Sequence, residues 1–317
     1  MRQVHPQAPV AHLRLVEDLG EVIDRPARHL CHFECGEPFA GGALAQEVAV
    51  ITPYLAQPGT QFYVEGFQAR AAELGFTVNG AFANYIAVGA KYCWSVDGIL
   101  ERFGDKGYEV AALTEPTCVA YTGVIVRGGG IKPGDNVVIC GSGPVGLAAV
   151  AILKRAGAAK VILSEPEPAR AELGRKLGAD EVINPLKEDM KERVLEITHG
   201  MGAKLYLEAT GLPTVVYPQI EACIWEGRSL NATVVVVARA DAKIPVTGEV
   251  LQVRRAQIVG TQGHSGDGTF PHVIESMASG MNMLPVITKE VTLDQLPENI
   301  VALRTEKKES KISCVNP

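Results

Sequence analysis

The chain has 317 residues, a formal net charge of −6 at pH 7 and 47% hydrophobic residues. That length accommodates two domains of about 100–200 residues each, and the composition excludes a disordered chain. The acidic balance, with Lys307-Lys308 as the one conspicuous basic pair, argues against a nucleic-acid partner.

The opening stretch MRQVHPQAPVAHLRLVEDLG has no long apolar run and does not read as a signal peptide. Seven scattered cysteines, of which only Cys31 and Cys35 lie close together, fit reduced thiols and a cytoplasmic location. No C-x2-C pair occurs, so a four-cysteine structural zinc site is not readable.

Residues 1–75 show no convincing hydrophobic period. Within them, Glu17–Asp24 suits a short helix or strand and Cys31–Glu37 is turn-like. Gln46–Ile51 suits a strand, Pro58-Gly59 marks a turn, and Gln68–Leu74 has helical composition. Order returns at Gly75. Phe76–Phe82 and Asn84–Val88 are expected to form a hairpin around Asn79-Gly80. Cys118–Val126 suits a buried helix, which Gly128-Gly129-Gly130 ends.

From Lys132 onward, strands and helices alternate. Strands are expected at 136–140, 160–164, 181–184, 204–208, 233–238 and 257–260. Helices are expected at about 145–156, 169–177 and 187–198, from Thr210-Gly211 through Trp225, and at about 270–278, with a β-rich tail after Gly280. This βα alternation implies an α/β fold with a parallel sheet wound on both faces. Val137–Leu153 is apolar enough to suggest a membrane span. Glycines and a proline interrupt its first half, however, and a strand plus a helix accounts for it, so no membrane partner is expected.

The turn between the first strand and helix of this series reads Gly141-Ser142-Gly143-Pro144-Val145-Gly146, a G-x-G-x-x-G pattern. The first glycine permits a sharp turn. The second lets a pyrophosphate approach the backbone, and the third lets the helix lie close on the strand. The helix N-terminus then offers unpaired N–H groups and a positive dipole end to the anion. Glu165 ends the next strand, about 20 residues past Gly146, where an acid accepts hydrogen bonds from the adenine-ribose hydroxyls. An acid there repels a 2′-phosphate, so the expected cofactor is NAD rather than NADP. A solvated glutamate after a strand is the alternative.

Lys132-Pro133-Gly134-Asp135, the glycine turn, Gly178-Ala179-Asp180 and Glu208-Ala209-Thr210-Gly211 together resemble the zinc-type medium-chain dehydrogenases, in that family's order and spacing. The stretches 128–139, 238–250 and 254–266 resemble its polyol and cyclitol branch, of scyllo-inosose type. The resemblance implies a Rossmann doubly wound parallel sheet inserted in a β-rich, GroES-like catalytic domain. On that reading residues 1–117 and 259–317 form the catalytic domain, 118–258 bind NAD, and the chain begins part-way into the family's pattern.

The implied chemistry is NAD-dependent oxidation of a secondary alcohol on a small polyol or cyclitol, assisted by zinc, in a homo-oligomer (dimer or tetramer). The implied cofactor contacts are Gly141, Gly143, Pro144, Val145, Gly146, Glu165, Arg170 beside the adenosine, and Val237 and Ala238 beside the nicotinamide. Glu115, in Glu115-Pro116, matches the family's glutamate at the catalytic zinc; a helix-capping or salt-bridging carboxylate is the alternative. His12 is the nearest candidate for a second zinc ligand, against a surface histidine. The family's Gly-x-Cys-Gly-x-Asp zinc motif is missing from the sequence. Two alternatives therefore stand beside the dehydrogenase: a NAD-binding relative without zinc or turnover, and a zinc-free reductase.

Overall fold

The computed structural model of the chain describes residues 93–264, 268–303, 306 and 308–315, together with the backbone of 12–16, 30–34, 47–49, 77–79 and 87–89. It divides into two compact units. One comprises 1–94, 292–296 and 314–317, and the other 95–291 and 297–313.

The first unit contains β1 (His12–Val16), β2 (Leu30–Glu34), β3 (Glu47–Ala49), β4 (Thr77–Asn79) and β5 (Ala87–Gly89). β1 and β2 pair antiparallel, as do β2 and β5, while β3 and β4 pair parallel. The expected hairpin around Asn79-Gly80 is therefore corrected. Its two arms take different partners, β4 joining β3 and β5 joining β2. A two-residue turn signal speaks only for its own neighbourhood, whereas strand partners are chosen by packing across distant sequence. The stretch read as turn-like, Cys31–Glu37, begins inside strand β2. The elements expected at Glu17–Asp24, Pro58-Gly59 and Gln68–Leu74 lie outside the described residues.

The second unit opens with α1 (Asp97–Phe103), α2 (Gly107–Ala111) and α3 (Thr114–Tyr121), which runs on as a π-helical segment, Thr122–Arg127. Next comes the alternating series: β6 (Asn136–Cys140), α4 (Pro144–Arg155), β7 (Lys160–Ser164), α5 (Pro168–Lys176), β8 (Glu181–Ile183) and α6 (Met190–Ile197). It continues through β9 (Leu205–Glu208), α7 (Pro213–Glu226), β10 (Thr233–Val236), α8 (Gly248–Arg254) and β11 (Gln257–Gly260). α9 (Thr269–Ala278), β12 (Ile287–Val291), α10 (Leu296–Ala302) and β13 (Lys311–Cys314) complete the chain. The tail expected to be β-rich thus holds two strands, paired with each other, and a helix between them.

α6 starts three residues later than its composition suggests. The Asp189 side chain accepts a hydrogen bond from the Glu192 N–H at 2.9 Å, and this cap sets the start of the helix.

All pairings in the six-stranded sheet are parallel, in the order β8-β7-β6-β9-β10-β11. Side chains alternate between its faces. Val137, Ile139, Val161, Leu163, Leu205, Leu207 and Val235 enter one core with α3, α4 and α9. Val138, Cys140, Ile162, Ile183, Tyr206 and Val234 enter the other with α6, α7 and α8. Strands buried on both faces need continuous apolar runs, which is why they were readable. The chain order reverses between β6 and β9, and an open α/β sheet binds ligands at such a switch point, beyond the carboxyl ends of the strands. Among the described residues, no helix is long and apolar enough to cross a membrane.

Candidate active site and cofactor crevice

The glycine turn sits at the switch point. β6 ends at Cys140, paired with Ser164 of β7 and Glu208 of β9, so Gly141, Glu165 and Ala209 leave the sheet side by side. Gly141 has φ +95°, and a Cβ there would lie 3.0 Å from the Ala209 carbonyl oxygen. Gly146 is closer still: a Cβ would stand 2.0 Å from the Gly141 oxygen. Gly143 is the opposite case. It has φ −67°, and a Cβ would meet nothing within 4 Å. The turn therefore presses its first and third glycines against the protein and leaves open the face of the second, where a pyrophosphate oxygen can reach the backbone. Gly143 also serves as the N-cap of α4 without any side-chain cap, with Pro144 and Val145 opening the helix.

Glu165 is buried at the end of β7. Its Oε2 accepts hydrogen bonds from the Ser142 hydroxyl at 2.7 Å and the Ser142 N–H at 3.0 Å. Its Oε1 accepts from the Glu167 N–H at 2.9 Å. Arg170, on α5, donates from Nη2 to the Glu309 carbonyl at 2.9 Å, and its buried Nε has no hydrogen-bond partner. Val237 and Ala238 follow β10 directly, and both N–H groups donate to the Glu208 carbonyl, at 3.1 and 3.3 Å. Oε1 of Glu208 accepts from the Thr210 and Gly211 N–H groups, fixing the loop that faces Ala238. All these groups share the carboxyl-end side of the sheet.

Glu115 lies in the first turn of α3. His264, in the loop after β11, brings its Nε2 to 3.2 Å from Glu115 Oε1. That oxygen is buried, and its one close polar neighbour among the described contacts is this imidazole, so the pair is a close, imperfectly aligned ion-pair contact. The Glu115 carboxylate raises the His264 imidazole above its ordinary value of 6.5, with burial working against it. Phe270 packs edge-on against the His264 ring, centroids 4.9 Å apart. Reading the residues in order did not single out His264 or the Ser142 hydroxyl. Only their neighbours in space reveal them, and the family-like stretch 254–266 was the one hint for His264.

Zinc fits this corner in part. A carboxylate and an adjacent imidazole suit a Lewis-acidic ion, but a catalytic zinc takes three protein ligands. Among the described residues, no group of three His, Cys, Asp or Glu side chains is placed to hold a metal ion. The side chain of His12 lies outside the described residues. Burial pushes the thiols of Cys118 and Cys223 up to about 12 and raises Cys140 further, which marks all three as core side chains rather than nucleophiles or ligands.

Comparison with known proteins agrees with this geometry. Residues 144–279 match the zinc-binding dehydrogenase family model. Scyllo-inosose 3-dehydrogenase of Thermotoga maritima is 62% identical over 247 residues, which cover 77% of this chain and 62% of that protein. The segment 144–279 thus carries a zinc-binding dehydrogenase domain, and the chain around it is similar to dehydrogenases of that type. L-threonine 3-dehydrogenase of Pyrococcus horikoshii is 33% identical over 236 residues, which cover 74% of this chain and 64% of that protein. A solved structure of a candidate alcohol dehydrogenase from Thermotoga maritima superposes with a TM-score of 0.74 at 61% identity, over 76% of this chain and 62% of that one. The chain thus spans less than two thirds of the length of these relatives.

Proposed function

We propose that this chain is an NAD-dependent dehydrogenase that oxidises a secondary alcohol of a cyclitol or related polyol. The observation that carries the cofactor half is the glycine turn at the switch point, open only at Gly143, with Glu165 beside it. The observation that carries the chemical half is the contact of the buried Glu115 Oε1 with His264 Nε2, 3.2 Å apart, beyond the carboxyl end of β11. The substrate class comes from the 62% identity to scyllo-inosose 3-dehydrogenase.

In this reading Gly143 and the N-terminus of α4 receive the pyrophosphate, with Gly141, Pro144, Val145 and Gly146 shaping the cradle. Glu165 accepts from the adenine-ribose hydroxyls, Arg170 lies along the adenosine, and Val237 and Ala238 line the nicotinamide half. Glu115, with His264 against it, faces the metal or the substrate oxygen. When bound, NAD supplies the hydride acceptor and zinc the Lewis acid that eases alkoxide formation. Glu115 and His12 are the proposed protein ligands. The division into 1–117, 118–258 and 259–317, a cytoplasmic location and a small-molecule substrate belong to the same proposal. So does a homo-oligomer. β10 is paired on both edges, whereas no other described strand pairs with the outer edge of β11, where a second copy has room to add.

The test is metal analysis of the purified protein alongside NADH absorbance with scyllo-inosose or myo-inositol as substrate. The proposal expects zinc and NADH formation. Zinc-loaded protein that binds NAD yet reduces none of it would replace the enzyme with a binding relative.

A further inference from the structure

Ser142 is the middle residue of the glycine turn's first half, and it is fully buried. Its hydroxyl therefore does not face solvent. It turns back to Glu165 Oε2 at 2.7 Å, while its N–H donates to the same oxygen at 3.0 Å. The other carboxylate oxygen is held by the Glu167 N–H, at the N-cap of α5. The Glu165 backbone is pinned as well, its N–H donating to the Ile183 carbonyl at 3.0 Å. One carboxylate thus joins the glycine turn, the end of β7 and the start of α5. Three donors hold it fixed, and a carboxylate has about four acceptor sites, so one stays open for a ligand hydroxyl.

We infer that Ser142 is a specificity-determining positioning residue, which locks Glu165 against the glycine turn and so sets the preference for a 2′-hydroxyl over a 2′-phosphate. This rests on the proposed cofactor site. A fixed carboxylate accepts a hydrogen bond from a ribose hydroxyl at low entropic cost and cannot swing away from a phosphate dianion. A loosened one loses part of the first interaction and relieves part of the second. Hydrogen bonding inside the turn alone would support every dinucleotide equally. Ser142 couples to the one side chain that reads the 2′ position.

The experiment is direct titration of the purified full chain with NADH and with NADPH, followed by nucleotide fluorescence, for wild type and the graded series Ser142→Cys and Ser142→Ala. The hydroxyl is the shorter of the two Ser142 donors, so its loss lowers NADH affinity about fivefold to tenfold in S142A. NADPH affinity falls less or rises, and the NADH/NADPH ratio narrows in the order Ser, Cys, Ala. Should S142A fail to fold, Ser142→Cys carries the test alone: it must narrow the ratio, and a wild-type ratio overturns the inference. Equal losses for both nucleotides, or an unchanged ratio across the series, would reduce Ser142 to a structural role and overturn the inference. A wild-type protein that binds neither nucleotide would instead overturn the cofactor site itself.

Discussion

Substituting the second and third glycines of the turn, one at a time, by alanine separates folding from cofactor binding. In Gly146→Ala the new Cβ stands 2.0 Å from the Gly141 carbonyl oxygen, a backbone atom that cannot rotate away. Reaching even 3 Å requires α4 and the turn to part by roughly 1 Å. α4 resists, because every residue from Gly146 to Leu153 is buried. Overpacking of this kind costs about 3 kcal/mol, at the upper end of the usual range. For a unit of this size that lowers Tm by roughly 6–12 °C. In Gly143→Ala the Cβ meets nothing within 4 Å, and the backbone at φ −67°, ψ 175° suits alanine. The fold is then unchanged or gains about 0.4–1 kcal/mol from a less flexible unfolded chain. The methyl occupies the space proposed for the pyrophosphate, so NADH affinity falls at least tenfold, about 1.4 kcal/mol. Thermal unfolding and NADH titration of both variants provide the check. A Gly146→Ala protein with wild-type Tm would refute the packing argument, and a Gly143→Ala protein with wild-type NADH affinity would refute the cradle.

Further consequences concern side chains on and off the site. The Glu115 carboxylate raises the His264 pKa, so Glu115→Gln shifts the imidazole titration, followed by NMR, down toward 6.5; an unmoved titration would remove the pair. A raised imidazole stabilises the folded chain below its unfolded pKa and loses that effect as pH climbs through the folded value. His264→Ala therefore costs more stability at pH 6 than at pH 8, and urea unfolding at both pH values would show an equal cost if this reasoning is wrong. The Tyr206 hydroxyl, fully buried, accepts from the Ala203 N–H at 3.1 Å, so Tyr206→Phe strands that donor and costs about 1–3 kcal/mol in the same assay. Cys140 and Cys223 resist thiol reagents at pH 8 until the chain unfolds. Labelling of either in the native protein would contradict their burial.

What the residues disclosed in advance follows from how local each feature is. β6, β7 and β9 are apolar runs flanked by glycine or turn residues, and the roles of Gly141, Gly143 and Gly146 depend on a six-residue window. The short helices α1, α2 and α8 passed unnoticed. They are five to seven residues long, too few for an apolar period, and none has a capping side chain. The parallel pairing of β3 with β4 was hidden for a different reason, since its partners lie about thirty residues apart. The same distance hid the site contacts. Ser142 and Glu165 are separated by 23 residues. Glu115 and His264 come from opposite ends of the second unit and meet only when α3 and the loop after β11 fold together. A family resemblance pointed to Glu115 and Glu165, but neither composition nor spacing could say what holds them.

The central claim is that the carboxyl-end crevice holds NAD so that it takes hydride from a cyclitol carbon. Incubating the zinc-supplemented protein with NAD and a cyclitol deuterated at the reacting carbinol carbon, then weighing the NADH by mass spectrometry, tests this most directly. The account predicts NADH that carries the deuterium, and none in Gly143→Ala at the same nucleotide concentration. NADH without deuterium, or no NADH from protein shown to bind NAD and zinc, would contradict it.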